Sequence, residues 1–217
     1  MQQVTMVPFV GATAVGKNFL MSATGYHVVG TTLTRQPRLD DDPAKYTYVS
    51  NEYLLEQIAA AEVVQYAVSP TAPTIYSSMV SDYAFDQPNA MDCFFDAVAG
   101  LRTKGYKAVK TISVFTPATQ WRTQLDDRYA QDTPEYVRSR LDEAVASIRW
   151  SLEQAEAQNP DHHLVINDPQ HFESVIHSIH AFVKGESFEY TPIDVARQAA
   201  DNMLEVIDDY RRGLGIQ

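Results

Sequence analysis

The chain has 217 residues, 45% hydrophobic and 21% charged, which is enough apolar content to bury the core of one domain with sub-lobes. A net charge of −11 disfavours a general nucleic-acid binder, because phosphate backbones need a basic surface. No apolar run approaches the roughly 20 residues that cross a bilayer, residues 1–10 carry no basic segment of the secretory kind, and the single cysteine, Cys93, allows no internal disulfide, so a reducing, cytoplasmic setting is expected.

Residues 4–10, VTMVPFV, make a short apolar run ending at a glycine loop, the pattern of a buried parallel strand. Pro8 is awkward there because it removes a ladder donor. A helix opens at Lys17 and is stopped early at Gly25. Residues 27–33, HVVGTTL, read as a second strand. Residues 34–50 read as a polar loop with a strand at 46–49, and Ser50 is an N-cap for a helix over about 51–61. EVVQYAVS (62–69) reads as a strand and PTAPTIYSS (70–78) as a loop, while 79–85 fit no single pattern.

MDCFF (91–95) reads as a strand ending at Asp96, followed by a helix over 98–104 and a strand KTISVF (110–115). Residues 117–129 read as a helix that AQDT (130–133) interrupts. Thr133 and Pro134 are an N-cap and N1 pair opening a long helix to about 158. HLVIN (163–167) reads as a strand and 168–183 as a helix. Alternating strands and helices predict an α/β chain with a parallel sheet. After Gly185, Thr191-Pro192 opens a last helix. Its stripe of Ile193, Ala196, Ala200, Met203, Ile207 and Tyr210 either docks on the chain's own core or pairs two copies into a dimer.

Between the first strand and the first helix lies GATAVGKN: Gly11, Ala12, Thr13, Ala14, Val15, Gly16, Lys17 and Asn18. It meets the phosphate-loop pattern G-x-x-x-x-G-K-[ST] except at the last position. In such a loop the glycines let backbone N–H groups turn inward around a phosphate, the lysine reaches the outer phosphates, and the hydroxyl ligates Mg²⁺. Cations are sparse and unevenly placed. Lys17 is followed by Arg35, Arg38 and Lys45, and then by none until Arg102, a spacing suited to placed phosphate contacts.

TTLTRQPR (31–38) followed by KYTYVS (45–50) resembles the guanylate kinase family, which has a T-R-x-P-R stretch and then a K-D-Y-x-F-V-S stretch after its phosphate loop. The resemblance continues in order. IYSS (75–78) is similar to Y-G-[ST], and FFDAVAG (94–100) to a strand ending in D-x-x-G with one extra residue. LDDR…RSRL (125–141) resembles an arginine-bearing lid, and LVINDP (164–169) resembles V-I-V-N-D-D. It covers about residues 4–183.

The resemblance implies a P-loop NTPase fold, three layers α/β/α around a parallel core sheet, with a small NMP-binding lobe and a helical lid. Residues 1–185 would form the guanylate-kinase-like domain: core 1–30, 90–122 and 159–185, NMP-binding lobe 31–89, and lid about 123–145. Residues 186–217 would be an appended C-terminal helix. Arg35 and Arg38 would hold the acceptor phosphate as forked donors, with hydroxyls from Tyr46 and Tyr76. Thr31, Gln65 and Ser78 would line the acceptor site, and Asp96 would organise Mg²⁺ water or that acceptor. Arg128 and Arg140 match the lid arginines, with Arg138 a competing candidate. Asn167 and Asp168 match the loop beside the adenine pocket, and read equally as a turn and N-cap.

The chain departs from the family pattern at Asn18, whose amide oxygen would have to replace a hydroxyl on Mg²⁺. Gln65 stands where the family carries a glutamate that reads guanine, and a glutamine offers one acceptor and one donor instead. YSS lacks the glycine. Five of six histidines fall within 162–180, read as surface residues rather than a metal site. Three functions fit: an ATP-dependent, Mg²⁺-assisted nucleoside-monophosphate kinase, with GMP or dGMP the acceptor by resemblance; a non-catalytic guanylate-kinase-like binding module; and a sugar-phosphate kinase on the same fold. The partners implied are small-molecule nucleotides, with no nucleic acid and no membrane.

Overall fold

A computed structural model describes residues 3–37, 45–68 and 73–215. The chain builds two sheets. The first is fully parallel, in the order β10-β9-β1-β7-β2, from β1 (Thr5–Val10), β2 (His27–Val28), β7 (Asn89–Asp92), β9 (Thr111–Phe115) and β10 (His162–Ile166). A two-residue strand, β8 (Ala108–Val109), also pairs with β1. The second sheet is mixed, in the order β4-β3-β6-β5, from β3 (Thr31–Leu33), β4 (Tyr46–Tyr48), β5 (Val63–Val68) and β6 (Ile75–Met79). β3 runs parallel to β4, and β6 is antiparallel to both its neighbours.

Pro8 does sit in the central strand, and it accounts for the separation of β8 from β9. The Lys110 N–H donates to the Met6 carbonyl at 2.8 Å. The return bond to the Lys110 carbonyl would need an N–H at residue 8, which proline lacks. The ladder therefore breaks at Lys110 and resumes at Thr111. Side chains of β1 alternate between two apolar clusters. Val7 and Phe9 enter the larger one, and Val4 and Met6 enter a smaller one with Tyr83 and Leu101. Both faces of the sheet are thereby covered.

The helices are α1 (Lys17–Ala23), α2 (Asn51–Ala59), α3 (Ala97–Arg102), α4 (Ala118–Tyr129), α5 (Pro134–Glu156), α6 (Phe172–Lys184) and α7 (Ile193–Gly213). Their starts follow local chemistry. The Ser50 hydroxyl accepts from the Tyr53 N–H at 3.1 Å, and Thr133 accepts from the Tyr136 N–H with Pro134 in the first turn. Buried Trp121, Leu125, Leu141, Ile148 and Ile179 carry α4, α5 and α6 into the large cluster.

Three expectations change. HVVGTTL is two strands in two sheets: the Val29 N–H still bonds Ala90 of the core sheet, and the Thr31 N–H already bonds Lys45 of the mixed sheet. The stretch read as a loop before residue 79 contains β6, an inner strand of the mixed sheet held by both neighbours. MDCFF ends its strand at Asp92, not at Asp96.

The last helix docks on its own chain. Ala196, Ala200, Met203, Ile207 and Tyr210 are buried against α4, α5 and β10. Tyr210 donates to the Leu125 carbonyl at 3.3 Å, and Arg211 pairs with Asp142 of α5. Apart from half-buried Ile193, the apolar stripe is therefore buried within the chain. Among the described residues, no helix is long and apolar enough to cross a membrane.

Candidate active site

GATAVGKN forms the turn from β1 into α1, and its glycines are there for steric reasons. A Cβ on Gly11 would lie 2.7 Å from the Val114 carbonyl oxygen. Gly16 holds φ +86°, and a Cβ there would lie 2.2 Å from Asn167 Nδ2. Ala14 also holds a left-handed φ of +61°, which costs a non-glycine residue about 1–2 kcal/mol. Strain of this kind collects at functional loops. Lys17 Nζ donates to the carbonyls of Gly11 at 2.8 Å and Ala12 at 2.9 Å, and lies 3.7 Å from an Asp92 carboxylate oxygen.

The loop opens into a cleft of about 1320 Å³. The start of α1 contributes Lys17, and β7 of the core sheet contributes Met91 and Asp92. The mixed sheet contributes Thr31, Arg35, Tyr46, Gln65, Tyr76 and Ser77, and the two long helices contribute Arg128, Tyr136, Arg140 and Glu143. Among the described residues, six cations line it (Lys17, Arg35, Lys45, Lys104, Arg128, Arg140) against three carboxylates (Asp92, Asp127, Glu143). On a chain of net charge −11 this set of side chains is locally positive, which favours an anion.

No family model and no curated protein matches the sequence. The structure does find a match, a guanylate kinase from Anaplasma phagocytophilum, with TM-score 0.52 and 15% identity over 86% of each chain. The fold is guanylate-kinase-like. At that identity the likeness shows the fold alone.

On the guanylate-kinase-like frame, most of the sequence-predicted residues converge. Gly11, Thr13, Ala14, Val15, Gly16, Lys17, Asn18, Thr31, Arg35, Tyr46, Gln65, Tyr76, Arg128 and Arg140 all line the one cleft. Arg35 lies over the rings of Tyr46 and Tyr48 at 5.9 and 5.8 Å, and donates to the Gln36 carbonyl at 2.8 Å. Gln65 donates from Nε2 to the Met91 sulfur at 3.0 Å, which orients its amide. Tyr76 packs edge-on against Phe94. Arg140 lines the cleft and Arg138 does not. Arg38 lies outside the described residues.

Five predicted residues lie off the cleft wall. Ala12 is buried in the loop. Ser78 is buried, sharing a hydrogen bond of 2.8 Å with the Tyr83 hydroxyl, while its neighbour Ser77 faces the cleft. Asp96 is exposed at the start of α3. Asn167 is buried behind the phosphate loop, where Nδ2 donates 2.9 Å to the Val15 carbonyl. Asp168 caps the following turn, accepting from the Gln170 N–H at 2.9 Å, and that bond holds its carboxyl below the usual range.

Sequence reasoning missed Asp92 and Glu143. Asp92 ends the strand one turn before the residue read as its end. Glu143 stands three residues after Arg140, hence on the same helix face, and pairs with it. Burial of Arg140 opposes its charge, and Glu143 with Tyr129 and Tyr136 outweighs that, so its guanidinium pKa is raised. Burial raises the Glu143 carboxyl, against the pull of Arg140 and Lys17. Burial, reinforced by Asp92 and Asp96, also raises the Cys93 thiol, so the cleft holds no ready thiolate nucleophile.

For a hydrated Mg²⁺ the donors present are hard oxygens. The Asn18 amide and the Asp92 carboxylate are both exposed on the cleft, chemistry that fits an ion keeping several waters and riding on a phosphate. Among the described residues no group of three or more His, Cys, Asp or Glu side chains is arranged for a metal. Two of the five clustered histidines depart from the surface reading: His162 and His163 are buried in β10, bonded to Ser113 and Ser178, while His171 and His177 are exposed.

Proposed function

We propose that the protein transfers the γ-phosphoryl group of ATP to a nucleoside monophosphate. The observation that carries this reading is the single cleft in which a phosphate loop, the Arg35–Tyr46–Tyr76 group and the Arg128–Arg140 pair face one volume. A two-phosphate reaction needs cations on three sides of the transferring group, and they come here from three separate parts of the fold.

Inward N–H groups of residues 11–17 would bind the ATP β-phosphate, and Lys17 would leave the Gly11 and Ala12 carbonyls for the outer phosphates. Arg35, with Arg38, Tyr46 and Tyr76, would hold the acceptor phosphate. An acceptor phosphate oxygen attacks Pγ, the bond from Pγ to the β–γ bridging oxygen breaks, and ADP leaves. Arg128 and Arg140 would offset the charge on the transferring group. No covalent enzyme intermediate is needed, because the protein's share is positioning and charge neutralisation. Mg²⁺, held by Asn18 and Asp92 largely through water, would screen the phosphate charge. Residues 31–89 would close on the acceptor and 123–145 on ATP.

The acceptor by resemblance is GMP or dGMP, with Gln65 and Thr31 beside the base. The test is ADP release from ATP and Mg²⁺ with a panel of ribo- and deoxynucleoside monophosphates and ribose phosphates. Turnover with a nucleotide acceptor, lost in Lys17→Ala, is the expected result. A flat panel from folded protein that still binds nucleotide refutes the kinase reading, and turnover confined to ribose phosphates moves it to sugar-phosphate acceptors.

A further inference from the structure

Glu143 has no part in the reaction as described, yet it lines the same cleft as Arg140 and pairs with it. The two side chains are largely withdrawn from water, at 23% and 22% exposure, and Arg140 Nη1 donates to Glu143 Oε2. Charges facing Glu143 from other elements are Lys17 of α1, Asp92 at the end of β7 and Asp96 before α3. Tyr129 of α4 and Tyr136 of α5 flank Arg140. A carboxylate offers a guanidinium the same planar pair of oxygens that a phosphate edge does. Two separate facts therefore coincide: Arg140 lines a cleft rich in cations, and one of its terminal nitrogens already bonds an internal carboxylate.

We propose that Glu143 is a positioning residue that occupies Arg140 in the free protein in place of a phosphate and yields the guanidinium to ATP on binding, at the expense of affinity. The pairing keeps Arg140 extended into the cleft, where an unpaired guanidinium would otherwise swing to solvent. The exchange also makes ATP binding metal-sensitive, since free ATP meets the displaced carboxylate unscreened. This inference rests on the nucleotide reading of the cleft.

The experiment is calorimetric titration of the full chain with ATP, in EDTA and in Mg²⁺. Glu143→Gln keeps the side-chain length and an oxygen for Arg140 while removing the charge. It is expected to tighten ATP binding roughly three- to tenfold in EDTA, and by less in Mg²⁺. Glu143→Asp keeps the charge and should show no tightening. Glu153→Gln makes the same change of net charge on the exposed side of α5, about 15 Å along the helix, and should leave affinity unchanged.

Unchanged or weaker binding by a Glu143→Gln protein that melts like wild type overturns the exchange. So does equal tightening in Glu153→Gln, which would make the effect one of bulk charge, and so does a Glu143→Gln protein that cannot fold. Lys17→Ala separates the two levels of the argument. If wild type binds no ATP, or Lys17→Ala leaves binding intact, the nucleotide reading falls and the exchange with it. If Lys17→Ala weakens binding and Glu143→Gln does not tighten it, the exchange alone falls.

Discussion

Asn167 supports Val15 from behind the phosphate loop: its Nδ2 donates 2.9 Å to the Val15 carbonyl across 152 residues of sequence, joining the end of β10 to the turn after β1. The same nitrogen occupies the space that any side chain at Gly16 would need. Removing the amide leaves a buried carbonyl without its donor, a loss of about 1–3 kcal/mol. Asn167→Ala is expected to lower the melting temperature by about 2–10 °C and to weaken ATP binding, because the loop N–H groups lose their fixed direction. Calorimetry and a thermal melt check both effects. Wild-type ATP affinity in this variant would show that the loop keeps its shape without Asn167.

Stability should fall on mild acidification. Burial pushes His162 down to about 3, with His163 and Arg102 adding, and burial pushes His163 down to about 4, from an ordinary value of 6.5. Both stay neutral in the folded chain while the unfolded chain takes up protons near 6.5. Their contribution is therefore complete above about pH 7 and is lost as pH falls from 6.5 towards 4 and 3. At pH 5 the difference is about 2 kcal/mol for each. Half-buried Asp82 and Glu143, whose carboxyls are raised, act in the opposite sense. Urea unfolding at pH 7.5 and 5.0 measures the slope, and equal midpoints would rule out buried neutral imidazoles.

Gln65 lines the cleft and, on the proposed function, would read the acceptor base. With one N–H on the Met91 sulfur, its amide offers the cleft one acceptor and one further donor. Guanine presents two adjacent donors, N1–H and the amino group, which suit a carboxylate better. Gln65→Glu is expected to raise kcat/KM for GMP relative to AMP by about 10- to 100-fold, the effect of one mismatched polar contact of about 1–3 kcal/mol. An unchanged ratio in the acceptor panel would place base recognition elsewhere.

Tyr210 anchors α7. Its ring lies 6.3 Å from that of Tyr129 and 4.9 Å beneath the Arg122 guanidinium, and its hydroxyl reaches the Leu125 carbonyl. Tyr210→Ala should destabilise the chain by about 3–5 kcal/mol, and Tyr210→Phe by about 1 kcal/mol. Urea unfolding reads both. A Tyr210→Ala chain as stable as wild type would mean that the docked helix adds nothing to the fold.

The features legible in the sequence share one property, in that their physical cause lies within a few residues. Ser50 and the Thr133–Pro134 pair announce helix starts because their oxygens and ring act on the next turn. The stripe from Ala196 to Tyr210 announces a buried face because helical spacing alone puts those side chains together. GATAVGKN announces its turn because glycines are needed where the backbone passes Val114 and Asn167. The cations Lys17, Arg35, Arg128 and Arg140 were readable as a set only through motif order, and the fold brings all four to one cleft.

What local chemistry could not decide was assigned by contacts between distant segments. IYSSM has no strong strand pattern, and it becomes an inner strand because β3 and β5 bond it on both edges. HVVGTTL reads as one strand, divided because β7 captures its first half and β4 its second. Asp92 rather than Asp96 meets Lys17, since the register of β7 against β1 sets where the strand stops. His162 and His163 are buried because β10 is covered by α5 and α6. The GATAVGKN turn, the helix caps and the spacing of the cations are legible because their causes are local. Which side chains face one another across the cleft, Glu143 against Lys17 among them, follows from the packing of elements more than a hundred residues apart.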